Sequence, residues 1–183
     1  MSFFYLANFK AGIYKVFFST ILLLVFFTSK GQQMNYALHA NIIYRVTKYI
    51  NWPSNSNNRQ GDFTIGIVGD SPLFQELTAL VADKKVERQK IAVVKLAGSA
   101  NFSNCQILFV ADEESNRFKK ILAKTINSPL LIITESDGLA SEGSCINFVI
   151  IEDRLKLEIN KKNIENRNLK IASELLQLGI PVK

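Results

Sequence analysis

The sequence predicts an α/β fold, a single three-layer sandwich in which a mixed, mostly parallel sheet of about six strands carries helices on both faces. Short apolar runs bounded by Gly, Pro, Asn and Asp alternate with stripes of helical spacing. Residues 106–110 and 130–134 are apolar on both faces, which is typical of central strands. The chain turns within two residues at Glu152-Asp153, as an antiparallel hairpin does. Together these observations predict strands alternating with helices in one layered domain.

The predicted helices all show apolar residues three or four positions apart. The first helix carries Leu38, Ile42 and Val46 on its stripe and ends before Pro53, which disfavours helical backbone at the preceding residue. Asp70-Ser71-Pro72 begins the second helix, and Asn160 caps the last one. The predicted helices span residues 35–50, 72–83, 115–127 and 161–177.

The predicted strands are short and rich in β-branched and aromatic residues. The last two form the hairpin, and the final one alternates apolar and charged residues, so one of its faces meets water. The strands span residues 63–69, 90–96, 106–110, 130–134, 145–151 and 154–160.

The first 31 residues are predicted to be a secretory signal peptide. Lys10 and Lys15 give a positive start, a twelve-residue apolar run follows at 16–27, and Ser29-Lys30-Gly31 resembles a cleavage site. That run is shorter than the roughly 20 residues that span a bilayer. An uncleaved N-terminal membrane anchor is the alternative. Cleavage leaves residues 32–183 as one periplasmic domain without membrane insertion of its own.

Charge and cysteine content narrow the classes of function. Removing the three lysines of residues 1–31 lowers the formal net charge from +6 to +3. A charge of this size gives no case for nucleic-acid binding. Cys105 and Cys145 both lie in the exported part, where an oxidising compartment permits a disulfide. Because each also opens an apolar run, two buried free thiols are the alternative.

The sequence shows no catalytic constellation, so no catalytic residue, cofactor site or metal site is predicted. His39 is the one histidine, and we expect a surface or half-buried side chain with satisfied hydrogen bonds. The turn after Val68 could hold an anion on its backbone N–H groups. The turn after Ile133 places Glu135 and Asp137 at the carboxyl end of a strand, where α/β proteins often bind ligands. The simpler interpretation of the turn after Val68 is a capped strand-to-helix turn, and that of the turn after Ile133 is a solvated loop.

Three aromatic residues are candidates for binding a protein partner. Trp52 is the one Trp, and Tyr36 and Tyr44 lie off the centre of the first helix's apolar stripe. Trp and Tyr often anchor protein interfaces. For Trp52 the alternative is a core cap beside the first helix.

A series of six segments resembles the YfiR-like family of periplasmic proteins. These segments include Tyr49-Ile50-Asn51-Trp52-Pro53 and Gly143-Ser144-Cys145, and they follow the family's order and spacing across nearly the whole exported chain. They span residues 49–53, 63–72, 104–110, 143–149, 157–160 and 169–176.

This resemblance implies a function that the residues alone do not. It implies a non-enzymatic, dimeric periplasmic regulator that binds the sensor region of a membrane-bound signalling protein and represses a diguanylate cyclase. Redox control by two separate disulfides does not carry over, because two cysteines allow one bridge only. The alternative function is a periplasmic small-ligand binding protein or enzyme that uses the turns after Val68 and Ile133.

Overall fold

The computed structural model describes residues 35–53 and 61–183. The predicted signal peptide lies outside the described residues. The helices are α1 (Tyr36–Val46), α2 (Leu73–Val81), a 3-10 helix (Asp112–Arg117), α3 (Phe118–Lys124), α4 (Leu139–Glu142), α5 (Lys161–Glu165) and α6 (Ser173–Leu178). The strands are β1 (Ile50–Asn51), β2 (Phe63–Val68), β3 (Lys85–Val86), β4 (Gln89–Leu96), β5 (Ile107–Val110), β6 (Leu131–Thr134), β7 (Ile146–Ile151), β8 (Arg154–Ile159), β9 (Lys170–Ile171) and β10 (Ile180–Pro181).

The main sheet contains eight strands in the order β10-β8-β7-β6-β5-β2-β4-β3. Five of its seven strand pairs are parallel, which confirms the prediction of a mixed, mostly parallel sheet. The six predicted strands are all present. The sheet exceeds the predicted number because β3 and β10, two residues each, extend its edges. Helices on both faces of the sheet stay a prediction.

The parallel strands follow an order that creates a crevice. Five parallel strands lie side by side in the order β4-β2-β5-β6-β7. If these five are renumbered 1 to 5 along the chain, their spatial order is 2-1-3-4-5. This order places a topological switch point at the carboxyl ends of β2 and β5, because the chain leaves β2 towards one side and continues from β5 towards the other. We call the side of the sheet where the parallel strands end the carboxyl edge, and the opposite side the amino edge.

The core lies on the central strands of the sheet. Every residue of β5 and β6 is buried, as their apolar character on both faces predicts. The outermost strands cover little of their neighbours, since β3 pairs only with Gln89 and Lys90, and β10 pairs only with Glu158 and Ile159. Among the described residues, positions 91–96 of β4 therefore pair with a strand on one side only, which is β2.

The first helix is shorter than predicted, and a different face of it is buried. It ends at Val46, and Ile50 then pairs with Ile171 in an antiparallel β1–β9 ribbon. The buried positions of α1 include His39 and Ile43, whereas Leu38 keeps 43% of its surface exposed. The apolar stripe is rotated by one residue because the His39 ring serves as a core aromatic side chain.

The single C-terminal helix predicted over residues 161–177 is wrong. Asn160 does cap a helix, since its side chain accepts the Asn163 N–H at 3.0 Å, but α5 ends at Glu165. Asn168 adopts a left-handed conformation with φ of 58°, which breaks helical geometry. Strand β9 follows and pairs with β1, so its backbone groups are satisfied by a distant segment rather than by a helix.

The helix predicted over residues 115–127 is also altered. A 3-10 helix precedes α3, and α3 ends at Lys124. Phe118 and Ile121 are buried. Ile126 is 67% exposed because it lies beyond the end of the helix.

Candidate functional site

Charged side chains divide between the two edges of the sheet. Acidic residues follow β2, β5 and β6 at the carboxyl edge, namely Asp70, Asp112, Glu113, Glu114, Glu135 and Asp137. At the amino edge, Lys48 and Lys84 both approach the ring of Tyr44, and Lys85 begins β3. The carboxyl edge is therefore rich in acidic side chains, one of which, Asp70, pairs with Lys95, and the amino edge carries lysines beside Glu87.

The turn after β2 is closed by an acidic side chain of the protein itself. Gly69 has φ of 99°, and a Cβ there would lie 3.0 Å from both Ala111 Cβ and Glu113 Oε1. The Asp70 N–H donates to that Glu113 oxygen. An anion bound at this turn would need the same N–H group. The simpler interpretation, a strand-to-helix turn, therefore describes the turn, with Ser71 Oγ accepting the Leu73 N–H at 3.2 Å.

His39 and Glu135 form the core of a buried polar cluster at the carboxyl edge. His39 Nδ1 lies 3.8 Å from Glu135 Oε2, and both side chains are only 1% exposed. Neither of these two atoms has a hydrogen-bond partner. The expectation of a surface or half-buried, satisfied histidine is therefore wrong. Buried polar atoms without partners are rare in folded proteins, so this pair stands out.

The surroundings of this pair explain its position. The His39 ring stacks on Phe148 with centroids 4.5 Å apart, and the edge of Tyr36 meets it at 5.2 Å. Glu135 Oε1 accepts the Asp112 N–H at 3.2 Å. Helix α1 and strand β7 thus hold the imidazole, while the loops after β5 and β6 hold the carboxyl group.

Burial changes the proton affinity of both groups. It lowers the pKa of His39 to about 4, which favours the neutral imidazole. It raises the pKa of Glu135 to about 7, although the N–H of Asp112 opposes this change. At 3.8 Å the two atoms are too far apart for a direct hydrogen bond. Each of the two atoms can therefore accept a hydrogen bond from a donor group placed near it.

The three aromatic candidates do not form one surface. Tyr36 is half-buried at the carboxyl edge, with its hydroxyl near Ser71 and Glu135. Trp52 lies at the amino edge, where its indole N–H donates to the Gln106 carbonyl at 3.2 Å. Its ring packs edge-on against Phe63, with centroids 5.1 Å apart. Trp52 thus caps the core beside α1, as its alternative interpretation predicts.

Tyr44 and Trp52 share the amino edge. Tyr44 is half-buried, and the Lys48 and Lys84 ammonium groups lie 5.1 and 5.5 Å from its ring centroid. Trp52 lines a cavity of about 280 Å³, together with Lys48, Lys85 and Glu87. We call Tyr44, Trp52, Lys48, Lys84 and Lys85 the amino-edge patch. The patch combines aromatic surface with three cations beside the single carboxylate of Glu87, and this excess of positive charge suits an acidic partner.

The predicted bridge between Cys105 and Cys145 is not formed in the structure. Both side chains are buried thiols that form no disulfide. They precede β5 and β7, and strand β6 separates these two strands. Two inter-strand spacings amount to about 9.6 Å, whereas bridged cysteines have Cα atoms within about 7 Å. Burial also raises the pKa of each thiol to about 11, so both are poor nucleophiles.

The described residues contain neither a cluster of metal ligands nor a helix that could span a membrane. Across residues 35–53 and 61–183, no three His, Cys, Asp or Glu side chains cluster as metal ligands would. Within the same ranges, no helix has the length and apolar character to cross a bilayer.

The fold and its two charged edges define an α/β domain suited to recognition. The chain belongs to the YfiR/HmsC-like family, whose sequence profile matches residues 36–180. This confirms the resemblance found in the sequence. The family is a regulatory, non-enzymatic one, associated with the periplasm and with the cyclic-di-GMP system. A search of curated proteins finds no match to the chain.

Sequence patterns predicted part of this site. Glu135 and the turn after Val68 were singled out because they follow predicted strands. The role of His39 was missed, because its partner is 96 positions away in the chain. A polar residue at a buried position of a helix, in step with Ile43 and Val46, is the signal that would have found it.

Proposed function

We propose that this protein is a non-enzymatic periplasmic regulator that binds the periplasmic sensor region of a membrane signalling protein and represses a diguanylate cyclase. Family membership supports the regulatory class. The observation that carries the binding mode is the amino-edge patch, where three lysines surround two half-buried aromatic side chains.

The partner surface should be acidic and long enough to reach both Tyr44 and the Trp52 cavity. Lys48 lies both over Tyr44 and in the wall of the Trp52 cavity, so one acidic segment can reach both. Helix α1 and the neighbouring cavity carry the contact in this proposal, because Tyr44 lies on α1 and Trp52 lines the cavity. A homodimer and export through a cleaved signal peptide belong to the same proposal.

The test is affinity capture from membranes of the source organism, with the captured signalling protein identified. Tyr44→Ala removes an anchor and should weaken capture at least tenfold, about 1.4 kcal/mol, without unfolding the domain. Lys48→Glu should weaken capture further and reduce its dependence on salt. Arg154→Glu, on the exposed hairpin of β7 and β8, is the matched control and should leave capture unchanged.

A cellular measurement separates regulation from mere binding. Deleting the protein should raise cyclic-di-GMP, and the Lys48→Glu variant should fail to restore the lower level. Equal cyclic-di-GMP in deleted and restored cells would contradict the repressor role, even if capture succeeds.

A periplasmic small-ligand binding protein or enzyme remains the second candidate. The observation that favours it is the pair of orphaned atoms, His39 Nδ1 and Glu135 Oε2, at the carboxyl edge. Turnover of a substrate by the purified protein, lost in His39→Phe, would favour this second candidate over the regulator.

A further inference from the structure

Arg167 is a buried cation outside both the amino-edge patch and the His39–Glu135 pair. It follows α5 and keeps only 8% of its surface exposed. Its Nη1 donates to the Thr125 carbonyl at 3.0 Å, and Nη2 lies 3.4 Å from the Thr125 hydroxyl. The guanidinium also contacts the Cys145 thiol. These contacts connect the segment after α5 to the end of α3 and the start of β7.

The positive charge of Arg167 lacks an opposite charge of equal size. Among the described residues, no carboxylate forms an ion pair with it. The carbonyl groups at the C-terminus of α3 supply only a partial negative charge. The neighbouring thiol of Cys145 has a raised pKa and stays protonated at neutral pH. A buried guanidinium is costly without an anion, and Thr125 uses only two of its five N–H groups.

A cavity opens beside this guanidinium. Its volume is about 270 Å³, and Arg167 forms part of its wall. Leu122 and Ile126 give the cavity an apolar side, and Ile126 is 67% exposed at its rim. Asn127 and Asn166 add side-chain amides. The cavity thus combines one cation with apolar and amide groups, and it is slightly smaller than the sites that bind drug-sized molecules.

We propose that this cavity binds a small monocarboxylate with a short, branched apolar tail. The carboxylate lies on the N–H groups of Arg167 that remain beside those engaged by Thr125 and Cys145, since the guanidinium has five N–H groups and its planar fork matches a carboxylate. The tail lies against Leu122 and Ile126. None of these residues belongs to the amino-edge patch or to the His39–Glu135 pair, so the site is independent of the proposed partner surface.

The test uses the full exported domain and three probes in calorimetry and amide NMR. We expect 4-methylpentanoate to bind in the millimolar range and to shift the amide signals of Thr125 and Gly143. Its neutral amide, 4-methylpentanamide, should bind at least tenfold more weakly because it lacks the charge. Phosphate tests whether any anion suffices. Phosphate binding as tight as that of 4-methylpentanoate would overturn the assignment of a monocarboxylate.

Variants distinguish the site from a purely structural arginine. Ile126→Glu places a negative charge at the exposed rim and should weaken 4-methylpentanoate binding at least tenfold while leaving the fold intact. Ile151→Glu, an equally drastic change at a 43% exposed position of β7, is the matched control and should change nothing. Arg167→Met should abolish binding in protein that circular dichroism shows to be folded. Unchanged binding in Ile126→Glu, or no binding of 4-methylpentanoate to the unaltered protein, would overturn the proposal.

Discussion

Two neighbouring residues of one segment, Thr134 and Glu135, bury polar groups with opposite outcomes. The Thr134 hydroxyl donates to Asn147 Oδ1 at 2.6 Å and lies 2.9 Å from Ser144 Oγ. Asn147 then donates to Glu158 at 2.9 Å, so that cluster is satisfied throughout. One position further along, Glu135 Oε2 lies near His39 Nδ1 without a hydrogen bond.

The same domain therefore buries polar groups of two kinds, a hydrogen-bonded network and an unsatisfied pair. A satisfied buried network fixes the pairing of β6, β7 and β8 and contributes stability. An unsatisfied pair contributes little stability, and burial shifts the pKa of His39 to about 4 and that of Glu135 to about 7, so the protonation of Glu135 changes near neutral pH. The satisfied cluster is therefore structural, whereas the His39–Glu135 pair makes the carboxyl edge responsive to its surroundings.

The largest effect is expected from breaking the satisfied cluster. Asn147→Leu leaves one Glu158 oxygen without its Asn147 donor and leaves the buried Thr134 hydroxyl with Ser144 alone, which should cost about 1–3 kcal/mol of unfolding free energy. Urea unfolding measures this loss. Asn116→Leu, at an exposed position of the 3-10 helix, is the control and should change stability little. A loss below about 1 kcal/mol for Asn147→Leu would mean that the cluster does not stabilise the sheet.

The second effect concerns Glu135 at alkaline pH. Its pKa rises from 4.5 unfolded to about 7 folded, so the folded protein binds more protons between these values and loses stability as the pH increases through them. Glu135→Gln removes this loss and should be about 1–3 kcal/mol more stable than the unaltered protein at pH 8. At pH 4.5 the two should be equal in urea unfolding. Asp137→Asn, an exposed neighbour, should show no such pH-dependent gain.

A smaller effect of opposite sign is expected from His39. Its pKa falls from 6.5 unfolded to about 4 folded, so its contribution to stability is present above pH 6.5 and is lost as the pH decreases to 4. His39→Phe keeps the stacking on Phe148. Between pH 6.5 and pH 4, its unfolding free energy should fall by about 1–2 kcal/mol less than that of the unaltered protein. Identical acid profiles of the two proteins in thermal unfolding would show that this imidazole is not held neutral.

The smallest effect is expected from reducing agents. Cys105 and Cys145 form no disulfide, so dithiothreitol should leave the urea midpoint unchanged. Both thiols should resist iodoacetamide until the domain unfolds, because they are buried and their pKa values are raised. A midpoint that falls on reduction would show that a bridge forms in the exported protein.

The sequence predicted the sheet well because its signals are local. Apolar runs of four to six residues, such as those of β5 and β6, identify buried strands whatever their neighbours are. The hairpin of β7 and β8 was equally clear, and its register pairs Ile151 with Arg154 across the turn, as the alternation predicts. The helices were less well predicted, because β9 depends on pairing with β1, a segment about 120 positions earlier in the chain.

What the sequence determined by itself is the class of domain, the membership in a family and the position of most strands. Hydrophobic periodicity and turn residues act over a few positions, and these physical preferences are written in the chain. Only the tertiary structure decided which polar groups meet. Glu135 approaches His39, and Arg167 approaches Thr125, because distant segments pack together. The order of the strands places β6 between Cys105 and Cys145. Burial of a charge or a thiol depends on distant segments packing together, and no local pattern records that packing.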